Sequence, residues 1–211
     1  MTAIWGPMGW MTLHSMASLY SNTPTPSERQ LMSTWLDMFR DTITCPSCRE
    51  HFTELLAAYK PQFPTLFNSR SDFLLFTFRA HNAVNRRLSK PIYATVAECF
   101  RILRKSMAVT PASVYRNAYL SHIRRYWRSS RDASGISALK KINEMSKIEF
   151  DYCTSRNNNF EEDIPEDTVV LPGNMLKNSE GASIVTPPKN ITILRSGGGM
   201  VMTGSGLRFR R

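Results

Sequence analysis

Cys45 and Cys48 stand in the order Cys-Pro-Ser-Cys, a spacing that suits thiol chemistry. Two sulfurs one helical turn apart can reach each other and close a disulfide. If the pair opens a helix, the unpaired amides and the positive end of the helix dipole stabilise a thiolate. The thiol pKa falls, and the sulfur becomes a nucleophile at neutral pH. Pro46 fits the first helical position, where its missing N–H would have no partner anyway. Arg49 adds positive charge close by. The chemistry offered is two-electron thiol–disulfide exchange. Zinc is the alternative use of such a pair, but it needs four ligands, usually two close pairs. His51 is near, yet no second Cys-x-x-Cys or His-x-x-x-His accompanies it. Cys99 and Cys153 stand alone, which is too sparse for a disulfide-stapled scaffold.

Electrons taken from thiols need an acceptor. Phe78, His81, Asn82 and Asn85 fall on one face of a helical pattern that also carries Leu74. A single histidine on an apolar face is usually a satisfied core residue. Three polar groups beside aromatic rings are costly to bury as mere core and favour a bound heteroaromatic ligand.

The elements that must position these residues read as helices. Trp10, Leu13, His14, Ala17 and Tyr20 recur at helical spacing behind a Gly6-Pro7 start. Ser27 with Gln30 makes a capping box ahead of Leu31, Trp35, Met38 and Phe39. A third helix begins at Cys45–Pro46, buries Cys48, Phe52, Leu55, Leu56 and Tyr59, and is ended by Pro61 and Pro64. Ser71 caps the fourth and Lys90–Pro91 closes it; Thr95 with Glu98 opens a fifth. No alternating apolar run competes, so the fold class is all-α, a compact bundle of about five helices. Thr110 and Pro111 start a further helix through Tyr126, and a basic helix runs around Ile136 to Ile148. Beyond Asn157 the mix of Asn, acidic residues, Pro and Gly predicts disorder. Short apolar runs there, such as Thr168–Leu171 and Asn190–Leu194, could pair as strands. Asn190-Ile-Thr192 matches a glycosylation sequon, which means little in a chain with no secretion signal. The division expected is 1–105, 106–156 as a helical extension, and 157–211 as a disordered tail. Cys99 lies on the buried period of its helix, a buried free thiol, while Cys153 falls in a polar, flexible stretch where it could relay electrons.

Three segments in this order resemble the Erv/Alr sulfhydryl oxidases. They are Trp5-Gly6-Pro7-Met8-Gly9-Trp10-Met11-Thr12-Leu13-His14, Cys45-Pro46-Ser47-Cys48, and His81-Asn82-Ala83-Val84-Asn85-Arg86-Arg87-Leu88-Ser89-Lys90. The first resembles the branch encoded by large DNA viruses. The resemblance covers about residues 4–105. It implies a helical bundle holding FAD, with electrons passing from protein thiols to the cysteine pair, to flavin, and to oxygen, giving hydrogen peroxide. By motif, Cys48 would be the flavin-side sulfur and Cys45 the sulfur that exchanges with substrates. Trp10, His14 and Tyr20 would line the flavin, with Trp5 and Gly6 at the head of the same motif. His81, Asn82, Val84, Asn85, Arg86 and Lys90 would grip the adenosine and phosphate side, the two cations through charge. The resemblance further implies homodimers, and a thioredoxin-like carrier as one class of substrate. Two departures stand out. The places of the family's structural disulfide hold Ala57 and Thr95, and the place of an aromatic over the flavin has Phe100 and Ile102 nearest. Family shuttle cysteines on a tail have no second Cys-x-x-Cys to match them here.

A net charge of +10 invites a nucleic-acid reading, with Tyr119, Tyr126 and Trp127 interleaved in the basic block from Arg116 to Lys147. Such blocks are most often solvated helix faces. The alternative function is therefore an inactive oxidase fold kept as a basic nucleic-acid-binding or scaffold protein. No stretch approaches the roughly 20 apolar residues of a membrane span, and Met1 to Trp10 lacks the form of a secretory signal. A soluble protein is expected. The viral resemblance implies host cytoplasm and the virion as locations, ahead of the mitochondrial intermembrane space.

Overall fold

The computed structural model describes residues 2–160, and among them the regular structure is entirely helical. Helix α1 spans Thr2–Leu19, α2 Pro26–Thr42, α3 Pro46–Gln62, α4 Arg70–Arg87 and α5 Val96–Val109. Two more follow, α6 at Ala112–Ser129 and α7 at Ala133–Cys153. The expected boundary after residue 105 falls inside α5. The apolar runs at 168–171 and 190–194, the sequon and the rest of the tail from 161 lie outside the described residues.

Local chemistry explains most helix ends and corrects several. Helix α1 begins at Thr2, ahead of the expected Gly6-Pro7 start, with Pro7 inside it. Proline already has a helical φ and costs one early hydrogen bond there. Helix α2 is capped by Thr25, whose hydroxyl accepts the Glu28 amide, with Pro26 as first helical residue, so Ser27 lies inside the helix. Helix α4 is capped by Ser69 and not Ser71; its hydroxyl accepts the Asp72 amide at 3.1 Å. It ends at Arg87, and Ser89 then turns the chain with φ 51°. Thr95 caps α5 as expected, accepting the Glu98 amide while Glu98 accepts from Ala94. Pro61 does not stop α3, which runs to Gln62.

The core is one continuous body of side chains drawn from all seven helices. Helix α6 lies along α1, and α7 lies along α2 and α6. Tyr119 of α6 is fully buried and stacks on Phe39 of α2 at 5.2 Å. Gly9 of α1 permits this approach, since a Cβ there would come within 3.2 Å of the Tyr119 ring. Trp35 of α2 donates its indole N–H to Glu149 of α7 at 3.2 Å. Arg116 of α6, also buried, donates to the Ser15 hydroxyl of α1.

The chain past α7 corrects the expectation of disorder from Asn157. Asn158 donates its amide to the Ser18 hydroxyl at 2.6 Å, and the Asn159 backbone N–H donates to the Ser18 carbonyl at 2.9 Å. Phe160 is buried against Phe100, 5.7 Å between rings, while Arg104 donates to its carbonyl. Cys153 does not lie in a flexible stretch. It ends α7, half-buried, with its sulfur 3.6 Å from that of Met16, and burial pushes its thiol up to about 11. The apolar stripe of α7 extends through Ile148 and Tyr152, which carries the helix to that point. Cys99 is fully buried, as its period predicts, with its thiol raised by desolvation.

Candidate active site

Cys45 is the N-cap of α3 and is joined to Cys48 by a disulfide, with Cα atoms 5.2 Å apart. Pro46 is the first helical residue. The Cys45 sulfur accepts the Cys48 amide at 3.3 Å and lies 3.4 Å from the Ser47 hydroxyl. Cys48 packs against the hydrophobic core, whereas Cys45, half-buried like it, precedes the exposed Pro46 and Ser47. Cys48 is thus the member of the pair on the core side. An open groove of ≈ 720 Å³ lined by Arg40, Pro46, Arg49, Glu50 and Thr53 runs beside the pair.

On the core side, Trp10 and His14 of α1 meet His81 of α4. The Trp10 and His81 rings stack at 4.2 Å and 8°. Phe52, on α3 one turn beyond Cys48, sits edge-on to Trp10 at 6.5 Å, and Tyr93 sits edge-on to His81 at 5.3 Å. His14 Nε2 is 3.1 Å from His81 Nδ1, and His14 Nδ1 is 2.9 Å from the Thr77 hydroxyl. Thr77 donates its proton to the Leu74 carbonyl, so it accepts from His14 Nδ1–H. His14 Nε2 is then the acceptor for His81 Nδ1–H, and both tautomers follow from one threonine. Desolvation holds the pair neutral, with His14 lowered to about 3 and His81 well below its ordinary value.

Asn82 is held by two bonds to the backbone of Tyr93, accepting from its N–H at 2.9 Å and donating to its carbonyl at 3.0 Å. Asn85 donates to the Pro91 carbonyl at 3.0 Å. These two amides therefore anchor the segment after α4 against it. Val84 packs on the core, Arg86 is half-buried with its pKa lowered by desolvation, and the Lys90 backbone N–H donates to the Asn85 carbonyl. Trp5 packs over Gly9, while Gly6 faces open space.

Tyr20 departs from the group. It sits edge-on to Phe67 and Phe73 and donates to the Phe67 carbonyl at 2.8 Å, a core anchor at the far end of α1. Burial, first, raises its pKa to about 12. Thr77, Tyr93, Phe52 and Arg87 are site neighbours that sequence reasoning passed over. Thr77 could have been found, since it precedes His81 by one turn on the same face.

Besides Thr12 Oγ1 and Tyr119 OH, several buried polar atoms on α3, on α4 and in the segment after it have no hydrogen-bond partner: His51 Nδ1, Glu54 Oε2, Asn85 Oδ1, Arg87 Nε and Tyr93 OH. Buried polar groups are almost always satisfied, so such a concentration fits a ligand rich in donors and acceptors. Flanking aromatic rings and a neutral histidine pair suit a flat heteroaromatic system such as FAD. Among the described residues, no group of three or more His, Cys, Asp or Glu side chains could hold a metal ion. Ala57 is exposed, Thr95 is a helix cap, and Phe100 packs in the core.

A profile of the Erv1 / Alr family matches residues 7–111. The FAD-linked sulfhydryl oxidase of African swine fever virus (isolate Tick/Malawi/Lil 20-1/1983) is 38% identical over 88 residues, 42% of this chain and 71% of the relative. The putative FAD-linked sulfhydryl oxidase 096R of Invertebrate iridescent virus 3 is 32% identical over 101 residues, 47% of this chain and 67% of the relative. The FAD-linked sulfhydryl oxidase ERV2 of Saccharomyces cerevisiae is 30% identical over 95 residues, 44% of this chain and 46% of the relative. No solved structure gives a significant match.

Proposed function

The chain belongs to the Erv1 / Alr family, and from that premise we infer that it is a FAD-linked sulfhydryl oxidase that forms disulfides in protein substrates. The observation that carries the reading is the Cys45–Cys48 disulfide at the head of α3, with Cys48 packed against the core. A substrate thiolate attacks the Cys45 sulfur, the disulfide breaks, and Cys48 leaves as a thiolate. A second substrate thiol then attacks the mixed disulfide and releases Cys45. Two substrate thiols become one disulfide, and two electrons and two protons pass to the pair. Bound FAD would take the electron pair and deliver it to oxygen, forming hydrogen peroxide.

The helix N-terminus favours the departing Cys48 as an anion. Trp10, His14 and His81 would flank the flavin ring. Their burial keeps both imidazoles uncharged, so they offer shape and directed hydrogen bonds instead of charge. Asn85 Oδ1, Arg87 and Tyr93 would bond to the cofactor, while Arg86 and Lys90 would meet its phosphates by charge. Asn82 acts through the segment it anchors. Trp5, Gly6, Val84 and Tyr20 shape the surrounding helices.

Substrate thiols would enter along the groove at Pro46 and Arg49. A thioredoxin-like carrier suits that open approach, and a second copy of this chain would associate through a face bearing exposed apolar side chains such as Val109 or Phe150. Among the described residues, no helix is long and apolar enough to cross a membrane. The test is a visible spectrum of the purified full chain together with oxygen uptake on dithiothreitol. A flavin band near ~450 nm and thiol-dependent uptake are expected. A colourless folded protein, or one inert toward thiols with flavin bound, sinks the reading.

A further inference from the structure

The loop that delivers Cys45 is fastened by a residue from outside the segment matched to the family. Helix α2 ends at Thr42, and Ile43 and Thr44 lead to Cys45. The carbonyls at a helix C-terminus have no intrahelical donors and need outside partners. Trp127 of α6 donates its indole N–H to the Thr42 carbonyl at 2.9 Å. Arg49, the residue after Cys48, donates to the Ile43 carbonyl at 3.0 Å. The two donors also meet: the Arg49 guanidinium lies 5.4 Å from the centre of the Trp127 ring. Trp127 is buried, so its indole has no water to substitute for Thr42. The carbonyls of Thr42 and Ile43, in the stretch that leads to Cys45, are therefore held, one by α6 and one by the redox helix itself. The two restraints are stacked on each other.

We propose that Trp127 and Arg49 clamp the loop carrying Cys45, so that helix α6 sets how readily Cys45 and Cys48 close their disulfide. Ring closure depends on the effective concentration of one thiol at the other. With the loop held, the dithiol form keeps Cys45 near Cys48 and loses little freedom on closing. Without the clamp, the dithiol form gains loop entropy that the disulfide form lacks, and closure is disfavoured. Trp127 and Arg49 are positioning residues: they touch the carbonyls that place Cys45, not the reacting sulfurs. The proposal deepens the thiol-oxidase reading, on which it rests for its effect on turnover.

The test is the equilibrium between the Cys45–Cys48 pair and glutathione, measured anaerobically on the full chain by trapping thiols and weighing the protein. In oxidation, the Cys45 thiolate attacks glutathione disulfide and expels one glutathione thiolate. Cys48 then attacks the mixed disulfide and expels the second. Two electrons move from the protein sulfurs to glutathione, and the two cysteine protons go with them.

Trp127→Phe keeps the ring and loses the donor. It should lower the oxidation constant about three- to tenfold, the range for one net hydrogen bond. Arg49→Lys, which keeps the charge but not the planar fork, should lower it in the same direction. Leu120→Ala, on a buried position of α6 about two turns before Trp127, should lower the melting temperature yet leave the constant within about twofold. A constant unchanged in Trp127→Phe, or one that falls as far in Leu120→Ala, overturns the clamp. If Trp127→Phe does not fold, an unchanged constant in Arg49→Lys overturns it alone. A parent chain that binds no flavin would sink the oxidase reading, and the glutathione equilibrium would still decide the clamp.

Discussion

Glu149 offers a pH-dependent test of how the last two helices are joined to the first two. Its carboxyl lies between α7 and α2, 5% exposed, and accepts the Trp35 indole N–H. Desolvation is the main influence and raises its pKa to about 7, against the opposing pull of the Trp35 bond and of Arg116 on α6. An acid whose folded-state pKa is raised favours folding in its protonated form. Its contribution is complete below the unfolded value of 4.5 and is lost as pH climbs from there to about 7. The difference in pKa corresponds to about 3 kcal/mol across that window. Glu149→Gln keeps an oxygen to accept from Trp35 and removes the titration. For a body of this size, 3 kcal/mol is worth roughly 6–12 °C. Melting of the parent and of Glu149→Gln should be followed by circular dichroism at steps from pH 4.5 to 7.5. The parent should lose about that much relative to the variant as pH rises. Parallel curves, or a parent that gains on the variant, would refute a buried neutral carboxyl at this contact.

Three further outcomes follow from the site and the chain past α7. Cys45→Ser and Cys48→Ser should each abolish oxidation of dithiothreitol, but only Cys45→Ser should leave a thiolate on the core side and a long-wavelength absorbance shoulder. A shoulder confined to Cys48→Ser would reverse the inner and outer roles. Thr77→Val removes the acceptor for His14 Nδ1–H and should cost about 1–3 kcal/mol while mixing the tautomers of His14 and His81 in nitrogen NMR; unchanged imidazole signals would contradict the ordered chain from Leu74 to His81. Phe160→Ala should destabilise the chain by about 3 kcal/mol, read as a loss of melting temperature, because its ring is buried on Phe100; a neutral change would mean the 158–160 strap is not docked.

What could be read from the sequence was the chemistry that acts within a turn or two of itself. Cys45 as a helix cap, Pro46 after it, and the buried face of Leu74, Phe78, His81, Asn82 and Asn85 all follow from periodicity and capping rules, and the structure has them so. Cap positions slipped where two candidates competed: Pro26 at the first helical position selects Thr25 over Ser27, and Asp72 three residues on selects Ser69 over Ser71. Long-range partners were beyond reach for a different reason. An apolar stripe states that a face is covered, not by what. Tyr119 and Trp127 read in the sequence as aromatics interleaved in a basic block, and only the packed structure buries them and pairs them with Phe39 and the Thr42 carbonyl, 85 residues before Trp127. The same holds for Glu149, which reads as surface charge on a basic helix until Trp35, 114 residues away, is seen to donate to it. Tyr20 lies six residues past the first motif, and its contacts with Phe67 and Phe73 are again long-range ones that the sequence does not state. Function-bearing pairs close in sequence are therefore legible early, while the residues that tune them sit on other helices and become visible only once the faces have met.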